Sequence, residues 1–235
     1  MKNAILASTS TLHGQNYLSY LLPEIAKLFK NCAEIVFIPF ARPGGITHDE
    51  YTGSVKKVLK TISINVKGLH EFENKEQALR EAQGVFTGGG NTFLLVDKLH
   101  RNNLMMPLRE QILEGTPYLG SSAGTNIGGL TMQTTNDMPI IYPPSFKTLG
   151  VVPFNINPHY LDPDLNSKHK GETRETRIKE FHTLNTQPVI GLREGSWLEI
   201  KDENIILRGT PSARIFTVGK EPMELVSNSN LSEII

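Results

Sequence analysis

The sequence predicts an α/β fold, a mostly parallel central sheet flanked by helices and ending in C-terminal antiparallel hairpins. Three observations carry this. Short apolar runs alternate with amphipathic stretches through the first half of the chain, the pattern of strands joined by crossover helices. From Leu149 onward the pattern changes to short strands, several separated by tight turns such as Asp202-Glu203-Asn204. Between these halves, Pro117 to Gly124 takes an apolar strand through Gly-x-Ser-x-Gly into helix-compatible chain, a unit that α/β sheets use to expose a serine.

The elements follow in order. Strands are predicted at Ala4 to Thr9, Ile35 to Pro39, Ile62 to Val66, Val85 to Thr87 and Tyr118 to Gly120. Between them Gln15 to Lys30, Asp49 to Lys60, Lys75 to Glu81 and Thr92 to Glu114 show helical spacing of apolar positions, with a break expected near Pro107. In the second half, strands are expected at Val151 to Ile156, Val189 to Leu192, Ser196 to Ile200, Ile205 to Leu207 and Arg214 to Val218, as antiparallel extensions of one sheet.

Size and charge bound the function. With 235 residues the chain can bury one core, and 1–235 reads as a single domain. The 24 basic and 24 acidic residues balance, and the only basic stretch is the short one from Lys168 to Arg177, which argues against a nucleic-acid partner. Cys32 is the single cysteine, so no disulfide forms within the chain and a reducing compartment is expected. No run approaches a membrane span, and the start Met1 to Leu6 is too short for a signal peptide. A cytoplasmic location and no membrane partner are therefore expected. A homodimer is the assembly allowed for. There is no His-Glu-x-x-His, cysteine pair or close histidine set, so neither metal nor cofactor is expected.

In open α/β sheets, sites form where strands end at their carboxyl edge. Three such ends stand out: Gly88-Gly89-Gly90-Asn91-Thr92, Ser122, and His159 after Asn157-Pro158. At a nucleophile elbow the serine sits in a strained turn that projects its hydroxyl and aims the next N–H, that of Ala123, at the atom attacked. A serine needs a base, and imidazole suits neutral pH. Of seven histidines, His159 is the first choice because it leaves a strand through a stiff turn, and His169 is the second. Glu194, delivered by Val189 to Leu192 into a turn, is the candidate to orient the base; an ordinary charged hairpin tip is the alternative. The triple glycine lets backbone N–H groups approach a ligand, and it matches neither phosphate-loop fingerprint, which favours an oxyanion role.

Six segments then resemble a known family. Gly88-Gly89-Gly90-Asn91-Thr92-Phe93, Gly120-Ser121-Ser122-Ala123-Gly124, Thr134 to Ile140, Ile156-Asn157-Pro158-His159, His169 to Glu175 and Gly191 to Gly195 stand in the order found in the peptidase E family of serine peptidases. The resemblance spans nearly the whole chain. It implies hydrolysis of dipeptides with an N-terminal aspartate, on a class I glutamine amidotransferase-like fold. It also implies Ser122 as nucleophile, His159 as base and Glu194 as orienting acid, with oxyanion N–H groups from Gly90 and Ala123. A forked cation suits an aspartyl carboxylate, and Arg174, within a matching segment, is chosen over Arg177. Asp137 or Glu172 would read the α-ammonium, and Asn91 is a further substrate-binding candidate. One departure is Arg193, which stands where close family members carry proline, so a less rigid turn at Glu194 is expected. The segment Leu161 to Lys168 departs as well. The alternatives are a related hydrolase for another aspartyl substrate, such as β-linked aspartyl-arginine, and a non-catalytic binding protein on the same scaffold. A glutaminase is excluded because the elbow carries serine, not cysteine.

Overall fold

In the computed structural model, which describes residues 1–163 and 171–233, strand β1 (Asn3–Ala7) shows how the core is divided. Successive side chains of a strand point to opposite faces. Ala4 and Leu6 enter one hydrophobic cluster, and Ile5 and Ala7 the other. Both faces are covered, which is why β1, β2 (Glu34–Ile38) and β4 (Val85–Thr87) read as continuous apolar runs. With β3 (Asn65–Gly68) and β5 (Tyr118–Ser121) they form a parallel array. The antiparallel hairpin β8 (Ser196–Lys201) and β9 (Asn204–Gly209) extends it to seven strands in the order β3-β2-β4-β5-β1-β8-β9.

Helices α1 (Leu22–Leu28) and α2 (His48–Leu59) cover one face through Ile25, Leu28, Tyr51, Val55 and Leu59. The other face receives α3 (Lys75–Arg80), α4 (Thr92–Arg101), α5 (Met105–Glu114) and the single turn α6 (Ala123–Asn126). A second sheet packs into this latter cluster. Its order is β11-β10-β7-β6, from β6 (Asn155–Pro158), β7 (Val189–Leu192), β10 (Ala213–Phe216) and β11 (Met223–Leu225). Ile190 and Leu192 of β7 point into the main core. Val189 joins Tyr160, Phe216 and Ile178 of helix α7 (Arg174–Phe181) on the outer side.

The structure corrects several expectations. The C-terminal strands do not all extend one sheet: only β8 and β9 do, while β6, β7, β10 and β11 form their own, with β6 and β7 parallel. The predicted helix Gln15 to Lys30 is confined to α1, after a left-handed Leu18 and a 3-10 turn at Ser19–Leu21. Pro23 has no N–H to donate, so it fits only the first turn and fixes the start. The break expected at Pro107 lies earlier, at the left-handed Asn103, and Pro107 again occupies a first helical turn. The strand expected at Val151 to Ile156 begins only at Asn155, because the Val151 and Val152 N–H groups donate to the Gly128 carbonyl.

Candidate active site

Ser122 lies between β5 and α6 with φ 55° and ψ −110°, a conformation that costs a non-glycine residue free energy. The flanking glycines make it attainable. A Cβ on Gly120 would run into the Gly124 carbonyl, and one on Gly124 into the Thr87 carbonyl. The Ser122 N–H donates to the Ala7 carbonyl at 3.1 Å, tying the elbow to the end of β1. The neighbouring Ser121 hydroxyl is fully buried, so only Ser122 of the pair is presented to a ligand.

His159 follows β6 and is also left-handed, at φ 53°. Its Nε2 lies 2.8 Å from Ser122 Oγ and its Nδ1 2.6 Å from Glu194 Oε1. A carboxylate only accepts, so Nδ1 carries the proton and Nε2 offers its lone pair to the serine hydroxyl. Glu194 occupies the turn Arg193-Glu194-Gly195, which passes from β7 in the second sheet to β8 in the first. The three side chains thus come from three elements and meet in one hydrogen-bonded chain. Within the turn Ser196 N donates back to the Arg193 carbonyl at 3.1 Å and Ser196 Oγ does so at 2.6 Å.

The glycine loop lies directly against the serine. A Cβ on Gly89 would sit 2.9 Å from that of Ser122, and one on Gly90, at φ 146°, would collide with the Ala41 carbonyl. Among the described residues the Gly90 N–H has no hydrogen-bond acceptor. Ala123 opens α6, so its N–H is one that a helix leaves unpaired.

The remaining candidates divide. Arg174 opens α7, is half-buried, and has no hydrogen bond or ion pair among the described residues. Burial, and secondarily Arg177, hold its guanidinium below the usual value, while Asp137 acts in the opposite direction, placing these two within electrostatic reach. Asp137 Oδ2 accepts from Thr92 N at 2.7 Å, Thr92 Oγ1 at 2.6 Å and Thr135 Oγ1 at 3.0 Å, pinning its loop to the start of α4. Glu172 faces Arg177 at 3.8 Å, both about half exposed. Asn91 caps α4 by accepting from Leu94 N at 3.1 Å and donates to the Met138 carbonyl at 2.8 Å, which leaves one Nδ2–H and one Oδ1 lone pair. The helix cap is a role that the sequence reading did not assign to it. His169 and most of the Leu161 to Lys168 segment lie outside the described residues.

One residue at the site escaped the sequence reading. Buried Ser8 accepts from His159 N at 2.9 Å and donates to the Leu192 carbonyl at 2.7 Å, joining the ends of β1, β6 and β7. Its signal was its place just after a core strand, hidden by drawing that strand to Thr9.

The chain is similar over its full length to named peptidase sequences. It is 46% identical over 237 residues to a probable alpha-aspartyl dipeptidase of Drosophila melanogaster, covering 100% of this chain and 98% of that protein. It is 47% identical over 233 residues to a peptidase E of Streptomyces coelicolor, covering 99% and 95%. Its fold is shared with a putative peptidase E protein from Listeria monocytogenes (TM-score 0.67, 22% identity, 90% of this chain and 100% of that one). It is shared also with a peptidase from an acI-B1 Actinobacterium (TM-score 0.73, 16% identity, 98% and 96%). The profile of Peptidase family S51 matches residues 4–208, and with a serine at the elbow and full-length relatives of this kind, the chain belongs to that family.

Proposed function

We propose that this protein is a serine-type dipeptidase that hydrolyses dipeptides with an N-terminal aspartate through an acyl-enzyme on Ser122. The observation that carries the reading is the Ser122–His159–Glu194 chain of 2.8 Å and 2.6 Å contacts, and the names of the full-length relatives supply the substrate class. His159 Nε2 takes the hydroxyl proton as Ser122 Oγ attacks the scissile carbonyl carbon, and Glu194 stabilises the imidazolium that results. The Gly90 and Ala123 N–H groups receive the developing oxyanion. Collapse expels the second residue's amine, which takes the proton from His159. A water then attacks the aspartyl ester, with His159 again as base, releasing aspartate and restoring the serine.

Arg174, cationic and with no hydrogen bond or ion pair among the described residues, is the group proposed to bind the aspartyl carboxylate, for which a guanidinium offers a bidentate fork. Asp137 is proposed for the α-ammonium in preference to Glu172, since it lies within electrostatic reach of Arg174 whereas Glu172 is turned to Arg177. The relatives' names do not favour the β-linked aspartyl substrate or the non-catalytic alternative. Hydrolysis rates on Asp-Leu, Glu-Leu, Asn-Leu and isoaspartyl-leucine test the reading. Asp-Leu is expected to be fastest, and equal rates on Asp-Leu and Asn-Leu would refute recognition of a carboxylate. Among the described residues no helix is long and apolar enough to cross a membrane, and a cytoplasmic location is proposed with the reducing compartment suggested by the single buried Cys32.

A further inference from the structure

Arg193 directly precedes Glu194, yet its side chain turns away from the reacting groups into a ring of acceptors. Its Nε and Nη2 donate to the two oxygens of Asp162 at 2.8 and 2.7 Å. Its Nη1 and Nη2 donate to those of Glu224 at 2.9 Å each. Nη1 also reaches the carbonyl and hydroxyl of Ser212, at 2.9 and 2.8 Å. The guanidinium lies over the Tyr160 ring, 5.6 Å from its centroid, and is only 18% exposed. Asp162 and Tyr160 belong to the segment that leaves His159. One side chain therefore grips the chain just after the base from the position just before the acid.

We propose that Arg193 is a positioning residue that sets the His159–Glu194 hydrogen bond by clamping these two segments together. The inference rests on the reading of Ser122, His159 and Glu194 as one catalytic unit. Three further contacts hold the same pair of segments: Tyr160 N donates to the Leu192 carbonyl at 3.1 Å, and Ser8 bridges His159 N and that carbonyl. The inner contacts fix the strand ends. The bidentate fork fixes the direction in which the chain continues, and so the angle at which Glu194 meets Nδ1. Only a planar cation with five donors can hold two carboxylates and a carbonyl in this way, so lysine is a poor substitute. Removing the fork leaves no stranded charge. Arg214 also contacts Glu224 at 3.3 Å and Asp162 at 3.9 Å, and both carboxylates are about half exposed.

The test compares wild type with Arg193→Ala, Arg193→Lys and Asp162→Asn in Asp-Leu hydrolysis, thermal melting and proton NMR of the hydrogen-bonded His159 Nδ1–H. Arg193→Ala is expected to lower kcat about ten- to one-hundredfold, the scale of a small misplacement of catalytic groups, with KM changed less than about threefold. Its downfield Nδ1–H resonance weakens or disappears, added guanidinium ion restores part of both, and lysine restores little. Arg208→Ala, which breaks an ion pair with Glu199 on the far hairpin, leaves kcat and the resonance unchanged. A folded Arg193→Ala with wild-type kcat and an intact resonance overturns the proposal, as does equal loss in Arg208→Ala. Should Arg193→Ala not fold, Asp162→Asn carries the same two readouts, since Arg193 keeps Glu224 and Ser212. Wild-type protein inactive on Asp-Leu would instead overturn the proposed function, while the resonance would still report whether Arg193 orients the pair.

Discussion

Ser122 and His159 both hold positive φ, 55° and 53°, and both sit at the carboxyl ends of strands. Such conformations cost roughly 1–3 kcal/mol each, and here they aim two side chains at one point. Ser122→Gly is accordingly expected to be more stable than Ser122→Ala by about 1 kcal/mol, read by thermal or denaturant unfolding, because glycine adopts this backbone without strain. Ser121→Ala is expected to retain activity, since the buried Ser121 hydroxyl faces no substrate; an inactive Ser121→Ala would refute the elbow assignment. If Arg174 binds the aspartyl carboxylate as proposed, Arg174→Met should lower kcat/KM for Asp-Leu far more than for Ala-Leu. Truncating one partner of a charge-assisted pair costs about 2–5 kcal/mol, or roughly thirty- to several-thousandfold, and Arg174→Lys should recover part of it. Equal losses on both peptides would mean that Arg174 holds the loop instead. Ser122 and His159, which the structure brings within 2.8 Å, were singled out by elbow chemistry and strand-end position, whereas Glu194 was separated from an ordinary charged hairpin tip only by the family resemblance. The commitment of Asn91 to Leu94 and Met138, and of Glu172 to Arg177, depends on partners that no local pattern reveals.

Among the elements, strands buried on both faces were legible to within a residue or two, since a continuous apolar run ending in glycine or proline has few other readings. Helix limits were less so where left-handed residues intervene. Leu18, at φ 59°, is a residue whose identity does not announce a left-handed conformation, whereas Asn103, at φ 57°, is of a type that tolerates it and was passed over in favour of Pro107. Pro23 and Pro107 mark helix starts, whereas a breaker was expected at the second. The start of α2 carries its own signature: Thr47 accepts from Glu50 N at 3.1 Å and Glu50 accepts from Thr47 N at 2.8 Å. Thr47→Ala is expected to destabilise the fold by about 1 kcal/mol without changing kcat, as measured by urea unfolding. An unchanged midpoint would show that α2 is held by packing alone.

Across the whole molecule, the change of pattern after Leu149 was visible, but its division into two sheets was not. Strand spacing says nothing about which strands pair, and β7 and β8, only a turn apart, belong to different sheets. That division matters for function, because the turn between the sheets carries Glu194 to a histidine delivered by β6 and a serine delivered by β5. If this convergence makes Ser122 a nucleophile, rapid-quench mass spectrometry of the protein turning over an aspartyl p-nitroanilide will catch the acyl-enzyme. The expected result is an aspartyl adduct on the peptide containing Ser122, and in Ser122→Ala no adduct with kcat/KM lower by roughly three or more powers of ten. An adduct on another residue, or a Ser122→Ala variant within about tenfold of wild type, would contradict it.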